Sequence, residues 1–196
     1  MNLTNSISTL NSLSKMDFKM IEYRVDPDGT QKWYQNGELH REDGPAIIWT
    51  DGSEEWWLND ELHREDGPAR IDRDGEQRWY LNGKLHREDG PAIIHSDGIQ
   101  FWYQNGELHR ENGPALIYPN GQQKWYINGQ LHRTDGHARI DPNGTQSWYQ
   151  NGQLHRDDGP AIIRPNGKKE WWINGKKCDP FDKFNINTNH NIKEGF

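Results

Sequence analysis

One sequence motif repeats at a fixed interval along most of the chain. The consensus is W-[YW]-x-N-G-x-L-H-R-x-[DN]-G-P-A-x-I-x-x-[DN]-G-x-x-x, a unit of 23 residues without insertion or deletion. Its tryptophans are Trp33, Trp56, Trp79, Trp102, Trp125, Trp148 and Trp171, and its histidines are His40, His63, His86, His109, His132 and His155. Units this short cannot bury a core alone, so the repeat predicts an array in which each unit stacks on its neighbours.

Turn residues divide each unit into short segments. Asn36-Gly37 and its counterparts follow an aromatic pair, and Asn-Gly between short apolar segments is a strong hairpin signal; the second unit departs with Asn59-Asp60. Further turns are expected at Asp43-Gly44-Pro45 and Asp51-Gly52. Only strands of a few residues fit between these turns. The prediction is therefore an all-β, elongated antiparallel array of stacked hairpins, solenoid-like, over residues 20–177.

Strand alternation predicts which columns share a face. If both Asn36-Gly37 and Asp51-Gly52 are two-residue turns, one face gathers the Tyr34, Leu39, Ala46 and Ile48 columns and forms the core. The opposite face then carries the Trp33 and His40 columns, with a column that reads Ile47, Arg70, Ile93, Leu116, Arg139 and Ile162. Arginine in that column predicts partial exposure to solvent.

Composition limits the classes of partner and compartment. Mean hydropathy is -1.17, but ten Trp and seven Tyr supply large apolar surfaces at regular positions, which argues against disorder. The formal net charge of -7 disfavours nucleic acid and anionic membranes. The single Cys178 excludes an intrachain disulfide, and no apolar run reaches the length of a membrane span or signal peptide. A cytoplasmic protein without membrane insertion is expected, in the host cytoplasm if the source is a virus.

The 23-residue step, the aromatic pair before Asn-Gly and the short strand ending at Asp-Gly resemble MORN repeats. The closer resemblance is to the divergent MORN-variant repeats of bacterial, phage and giant-virus proteins. LHREDGPA stands where the standard family has a Gly-x-Gly segment. The resemblance implies an elongated antiparallel β array that serves as a binding or scaffolding surface, in some members self-associating or touching lipid, without catalytic activity.

The segment Leu39-His40-Arg41-Glu42-Asp43 contains catalytic residue types, but its sixfold repetition argues against an active site. An enzyme needs one differentiated constellation, and neighbouring strand residues point to opposite faces. Metal binding is also disfavoured, because histidines roughly 10 Å apart cannot share one ion. No cofactor is expected. The structural interpretation is that His40 stacks on Trp33, that Arg41 and Glu42 pair across adjacent units, and that Asp43 caps the turn.

The tryptophan column allows two interpretations. Either His, Arg and the next Trp cover the rings, or the column forms a recognition groove, since Trp is a frequent interface anchor. Specificity is expected where single copies depart from the consensus, because stacking does not explain those residues. The candidates for binding are Trp49, Arg70, His95, Phe101, Tyr118, His137 and Arg139.

The expected function is a non-enzymatic scaffold that presents its Trp/His/Arg-lined face to a protein partner. The alternative is a phage- or virus-type decoy that sequesters a small anionic, nucleotide-like ligand or a host defence protein. Edge strands at the array ends invite homo-oligomers. Residues 1–19 are interpreted as a tail or a short capping helix with Leu3, Ile7, Leu10 and Leu13 on one side, and residues 178–196 as a cap and flexible tail.

Overall fold

The computed structural model describes residues 19–179 of the chain. Most of the predicted N-terminal capping segment and the C-terminal segment after Asp179 lie outside the described residues. Between Lys19 and Asp179 the chain forms strands and turns, and this part contains no helix that could cross a membrane. The prediction of an all-β antiparallel repeat array is confirmed.

The strands are short, as the density of turn residues requires. Those of the first half are β1 Ile21–Val25, β2 Gln31–Gln35, β3 Glu38–Leu39, β4 Ile47–Ile48, β5 Glu54–Glu55, β6 Trp57–Leu58, β7 Glu61–Leu62, β8 Arg70–Ile71, β9 Gln77–Arg78, β10 Tyr80–Leu81, β11 Lys84–Leu85, β12 Ile93–Ile94 and β13 Gln100–Phe101. Those of the second half are β14 Tyr103–Gln104, β15 Glu107–Leu108, β16 Leu116–Ile117, β17 Gln123–Lys124, β18 Tyr126–Ile127, β19 Gln130–Leu131, β20 Arg139–Ile140, β21 Gln146–Ser147, β22 Tyr149–Gln150, β23 Gln153–Leu154, β24 Ile162–Ile163, β25 Lys169–Ile173 and β26 Lys176–Cys178.

Each unit contributes to two ladders that run side by side along the array. Two strands of every unit join one long antiparallel sheet, in the order β1-β2-β4-β5-β8-β9-β12-β13-β16-β17-β20-β21-β24-β25-β26. The aromatic hairpins, such as β6–β7, form the second ladder. Successive hairpins are joined by backbone hydrogen bonds, with the Arg41 amide donating to the Trp57 carbonyl at 3.0 Å. Each unit is therefore hydrogen-bonded to its neighbours in both ladders.

The Asn-Gly turns have the predicted geometry. Asn36 and Gly37 both have positive φ, at 54° and 91°, and Tyr34 pairs with Leu39 across the hairpin. This is the type I′ geometry that matches the twist of the flanking strands. Asn59-Asp60 adopts the same conformation, with φ of 51° and 61°. The Asp60 carboxylate accepts a hydrogen bond from the Leu39 amide at 2.6 Å, which offsets part of the cost of positive φ at a non-glycine residue.

The register predicted at the Asp51-Gly52 turn is wrong by one residue. The Trp49 amide donates to the Ser53 carbonyl at 3.0 Å, so the loop between them has three residues rather than two. Ile47 consequently pairs with Glu55, and Ile48 pairs with Glu54. A slip of one residue moves a column to the opposite face. The Ile48 column therefore lies on the Trp33 side of the sheet, and the Ile47 and Arg70 column lies on the other side.

The buried core is thin and built from small residues. Ala46, Ala69, Ala92, Ala115, Ala138 and Ala161 are fully buried. The carbonyl of each accepts a hydrogen bond from a tryptophan amide, as Ala46 does from Trp33 at 2.9 Å. Larger apolar side chains such as Ile47 and Leu116 are buried at single positions. Much of the apolar surface stays half-exposed, so hydrogen bonds and ring contacts between loops carry much of the structure.

Candidate functional site

The candidate residues divide between the two faces of the long sheet. The face that carries the Trp33 and Ile48 columns is called the cleft face, and the opposite face, with the Lys32 and Ile47 columns, is called the variable face. The division follows from strand alternation and the observed register, in which Lys32 pairs with Ile47.

Arg41 organises the loop that follows the hairpin on the cleft face. Its guanidinium lies over the Trp33 ring, with Cζ 4.2 Å from the ring centroid. Nε donates to Asp43 Oδ1 at 2.8 Å, and Nη1 donates to the Pro45 carbonyl at 3.2 Å. The same stacking, at 4.0 to 4.5 Å, recurs for Arg64 on Trp56, Arg87 on Trp79, Arg110 on Trp102, Arg133 on Trp125 and Arg156 on Trp148.

The predicted roles of the LHRED side chains are therefore wrong in detail. Arg41, not His40, stacks on Trp33, and its carboxylate partner is Asp43 of the same loop. The reason is that β3 ends at Leu39, so the strict alternation of a strand does not apply to the residues after it. The guanidinium lowers the pKa of Asp43 below its ordinary value through a hydrogen bond and charge attraction.

The loop glycine is required by this arrangement. A Cβ at Gly90 would lie 2.8 Å from Cζ of Arg87, and one at Gly44 would lie 3.0 Å from Cζ of Arg41. A Cβ this close would force the guanidinium to shift, so the guanidinium fills the space that a side chain would need. Glycine in LHREDGPA thus allows arginine to lie between the loop backbone and the tryptophan ring.

The histidine of each unit contacts the hairpin turn of the next unit. His40 Nδ1 accepts a hydrogen bond from the Asn59 amide at 3.2 Å, and His63 Nδ1 does the same for Asn82. Asn59 has positive φ and lies in the exposed turn of the next hairpin. Equivalent bonds join His86 to Asn105, His109 to Asn128, His132 to Asn151 and His155 to Asn174. The histidine column therefore joins consecutive units.

Clefts open between consecutive LHRED loops on this face. One, of about 570 Å³, is lined by the Arg64–Gly67 loop, the His86–Asp89 loop, Trp79 and Leu81. Equivalent clefts of about 470 to 570 Å³ lie around Trp56, Trp125, Trp148 and, at the array start, Trp33. The tryptophans are half-buried. Arginine covers part of each ring, and another part lines a cleft, so features of both predicted arrangements coexist.

Carboxylates dominate the charge of the clefts around Trp56 and Trp79. The cleft around Trp79 has Arg64 and Arg87 against four acidic residues, Glu65, Asp66, Glu88 and Asp89. Each arginine is held by the aspartate of its own loop at 2.8 Å. Glu65 and Glu88 are 85% and 87% exposed, and each lies 3.9 Å from a histidine Nε2. The glutamates therefore carry the uncompensated charge of the cleft, and that charge is negative.

Six of the seven predicted specificity residues lie together on the variable face. His95 connects two of the columns, with its ring 5.4 Å from Phe101 and its Nδ1 2.5 Å from Glu76 Oε2. Arg70 pairs with Glu55 and Asp72. The positions of this set in the observed register are Trp49, Arg70, His95, Phe101, Tyr118 and Arg139. These side chains lie on the side of the sheet away from the clefts. Of them, Arg70, His95 and Phe101 are connected to one another through Asp72, Arg78 and Glu76.

His137 lies apart from that set. It replaces the loop proline of the other units and packs between two consecutive tryptophans, with ring centroids 5.9 Å from Trp125 and 5.4 Å from Trp148. Burial lowers the pKa of His137 below its ordinary value, and the charges of Arg133 and Arg156 lower it further. A neutral imidazole therefore fits this position better than a charged one.

Sequence reasoning missed the arginine column and the cleft glutamates. Arg41, Arg64, Arg87, Arg110, Arg133 and Arg156 are invariant across the six copies, and that invariance was a usable signal. The glutamates carried no such signal, because their column also contains Thr134 and Asp157. Only the stacking of consecutive loops brings them to opposite sides of one cleft.

No family model matches the chain, and no curated protein is significantly similar to it. Within residues 19–179 no group of three or more His, Cys, Asp or Glu side chains is placed to hold a metal ion. The fold defines the class of protein as an antiparallel β-repeat array with a row of tryptophan-lined clefts, of which those around Trp56 and Trp79 are the most acidic.

Proposed function

We propose that this chain is a non-enzymatic binding scaffold whose row of clefts accepts basic side chains of a protein partner. Similar clefts recur along the array, which suits multivalent binding to one extended partner better than chemistry at one centre. The resemblance of the unit to MORN-variant repeats is in keeping with a scaffold and forms part of the proposal.

The observation that carries the proposal is a lysine of the chain itself in the first cleft. Lys19 and Ile21 line the cleft around Trp33, and Lys19 Nζ lies 2.9 Å from Glu42 Oε1. Glu42 occupies the place that Glu65 and Glu88 occupy in the following units. An ammonium group beside a half-buried tryptophan and an exposed carboxylate is therefore a chemistry that these clefts accommodate.

The spacing of the clefts limits the shape of the partner. Each unit adds two strands, so neighbouring clefts are about 10 Å apart. A polyproline II segment advances about 3.1 Å per residue and repeats its direction every three residues. Lysine or arginine at every third position would therefore present one cation to each cleft, with the aliphatic stem against Leu81 or its equivalents.

The test is a titration of the full chain followed by tryptophan fluorescence. A peptide with lysine at every third position should give saturable binding that weakens as salt rises, and the matched glutamate peptide should not bind. Glu65→Gln with Glu88→Gln should weaken binding about tenfold or more, because each cleft glutamate contributes on the order of 1 kcal/mol. Glu61→Gln with Glu107→Gln removes the same charge from exposed hairpin positions outside the clefts and serves as the control.

ATP is titrated in the same assay, because the competing function is that of a decoy that sequesters an anionic ligand. Arg41, Arg64, Arg87, Arg133 and Arg156 are each engaged by the aspartate of their own loop, so ATP should produce no saturable quenching at their clefts. Saturable quenching by ATP, with no response to the lysine peptide, would overturn the proposal in favour of the decoy. Equal affinity of the cleft and control variants for the lysine peptide would also count against it.

A further inference from the structure

The first strand of the sheet, β1, has an edge with exposed apolar side chains. Among residues 19–179 the exposed large hydrophobic side chains are five, and four of them are Met20, Ile21, Tyr23 and Val25, at 73%, 74%, 52% and 56% exposure. All but Met20 lie in β1, which pairs with β2 on one side. An apolar edge strand is a template for pairing with another strand. We infer that two copies of this chain pair antiparallel through β1, about a two-fold axis at Tyr23.

The hydrogen bonds of β1 within residues 19–179 define which of its backbone groups point away from β2. The Asp26 amide donates to the Thr30 carbonyl at 2.9 Å, and the Asn36 amide donates to the Met20 carbonyl at 2.8 Å. Hydrogen-bonded pairs alternate along an antiparallel ladder, so the even-numbered residues of β1 face β2. The amides and carbonyls of Ile21, Tyr23 and Val25 therefore point outward. An axis at Tyr23 uses all three, with Ile21 opposite Val25 and Tyr23 opposite Tyr23.

The side chains of β1 are self-complementary in the same register. Glu22 of one copy lies opposite Arg24 of the other, in a pair without direct backbone hydrogen bonds, where side chains approach most closely. Within one copy Arg24 already binds Glu22, with Nε to Oε1 at 2.6 Å, so the dimer joins two such pairs into a network of four charges. On the cleft face Tyr23 packs on Trp33 at 4.9 Å, which brings the two Tyr23–Trp33 pairs side by side.

The last strand of the described part of the chain lacks these features. Strand β26 (Lys176–Cys178) carries Lys176 and Lys177, and lysines on an edge oppose strand addition. Pairing β26 with itself would bring like charges together, and pairing it with β1 offers no symmetric match of charges. The association is therefore a closed, two-fold dimer rather than an open chain of copies.

Sedimentation of the full chain over a wide range of concentrations tests the inference. A monomer–dimer equilibrium is expected, with no larger species in appreciable amount. Glu22→Arg and Arg24→Glu should each weaken dimerisation about tenfold, because each places two pairs of like charges across the axis. An equimolar mixture of the two variants, and the double variant carrying both changes, should each recover dimerisation. Circular dichroism checks that every variant keeps the parent fold.

Disulfide trapping tests the register separately. In a Cys178→Ser background, a mixture of Glu22→Cys and Arg24→Cys chains should form disulfide-linked dimers, because that pair has Cα atoms about 4.5 Å apart. Either cysteine variant alone should stay largely uncrosslinked. A full chain that is monomeric at all concentrations, or a dimer indifferent to both charge variants, would overturn the inference. Neither outcome bears on the proposed cleft function, since the clefts around Trp56 to Trp148 do not involve β1.

Discussion

At the scale of single residues, one arginine side chain connects most of the repeated loop. Arg87 stacks on Trp79 at 4.1 Å, binds Asp89 at 2.8 Å and donates to the Pro91 carbonyl at 3.3 Å. Its guanidinium also occupies the space above Gly90. One planar group with several donors satisfies these contacts together, which lysine could not do. Five of the six loops have equivalents of all these partners, and the loop of Arg110 has Asn112 in place of the aspartate.

A double-mutant cycle at Arg87 and Gly90 measures this coupling. Gly90→Ala should destabilise the chain by about 1–3 kcal/mol, because the new Cβ displaces the guanidinium from the ring. Arg87→Ala should cost about 1–2 kcal/mol through lost stacking and hydrogen bonds. The double variant should cost clearly less than the sum, since the methyl group then meets no guanidinium. Urea unfolding provides the measurement, and strict additivity would contradict the assigned contact.

His137 predicts a dependence of stability on pH that the other loops lack at this position. The pKa of His137 is lowered in the folded chain below its ordinary value of about 6.5. The neutral imidazole therefore contributes fully to the free energy of unfolding above about pH 6.5, and this contribution is lost as pH falls through the pKa of the folded chain. His137→Pro, the residue of the other units, should add about 0.4–1 kcal/mol at neutral pH. The advantage should grow as pH falls from 7.5 to 5 in thermal unfolding. Pro114→His, the reverse change in the neighbouring unit, should introduce the same dependence.

At the scale of elements, the two kinds of turn explain what the sequence could predict. Asn36-Gly37 admits few alternatives, because two adjacent positive φ angles define a type I′ turn and hence the Tyr34–Leu39 pairing. Asp51-Gly52 is compatible with loops of two or three residues, since only Gly52 needs positive φ. The observed loop has three, and this difference moves the Ile47 and Arg70 column to the other face.

The candidate site, too, could be predicted only in part from the sequence. The specificity residues were selected because they depart from the repeat, and the observed register brings Arg70, His95 and Phe101 to one surface. Their position opposite the clefts could not be predicted without the loop length. The clefts themselves arise between loops of consecutive units, and alternation within a single strand gives no information about such neighbours.

At the scale of the whole molecule, the array is a series of nearly identical interfaces between consecutive units. The backbone bonds from Gly83 to Leu62 and from Gly129 to Leu108 are both 2.9 Å, and the histidine-to-asparagine bonds recur at every step. Stability in such a chain is approximately a sum of unit terms and terms between neighbours. The central unit, despite its distinctive variable-face residues, should therefore be dispensable for folding.

Deleting Leu85–Glu107 tests this expectation, because it removes one complete period and joins Lys84 to Leu108 in register. The shortened chain should keep the β-type circular dichroism of the parent and unfold in a single transition at a lower temperature, by about 2–4 °C for each kcal/mol lost. A deletion of Ile94–Ala115, one residue shorter, joins Ile93 to Leu116 within a strand, shifts the later columns to the opposite face and should abolish cooperative unfolding. If the in-register deletion also fails to fold, then the linked residues around His95 and Phe101 act as a central core. The interfaces between consecutive units would then not be equivalent.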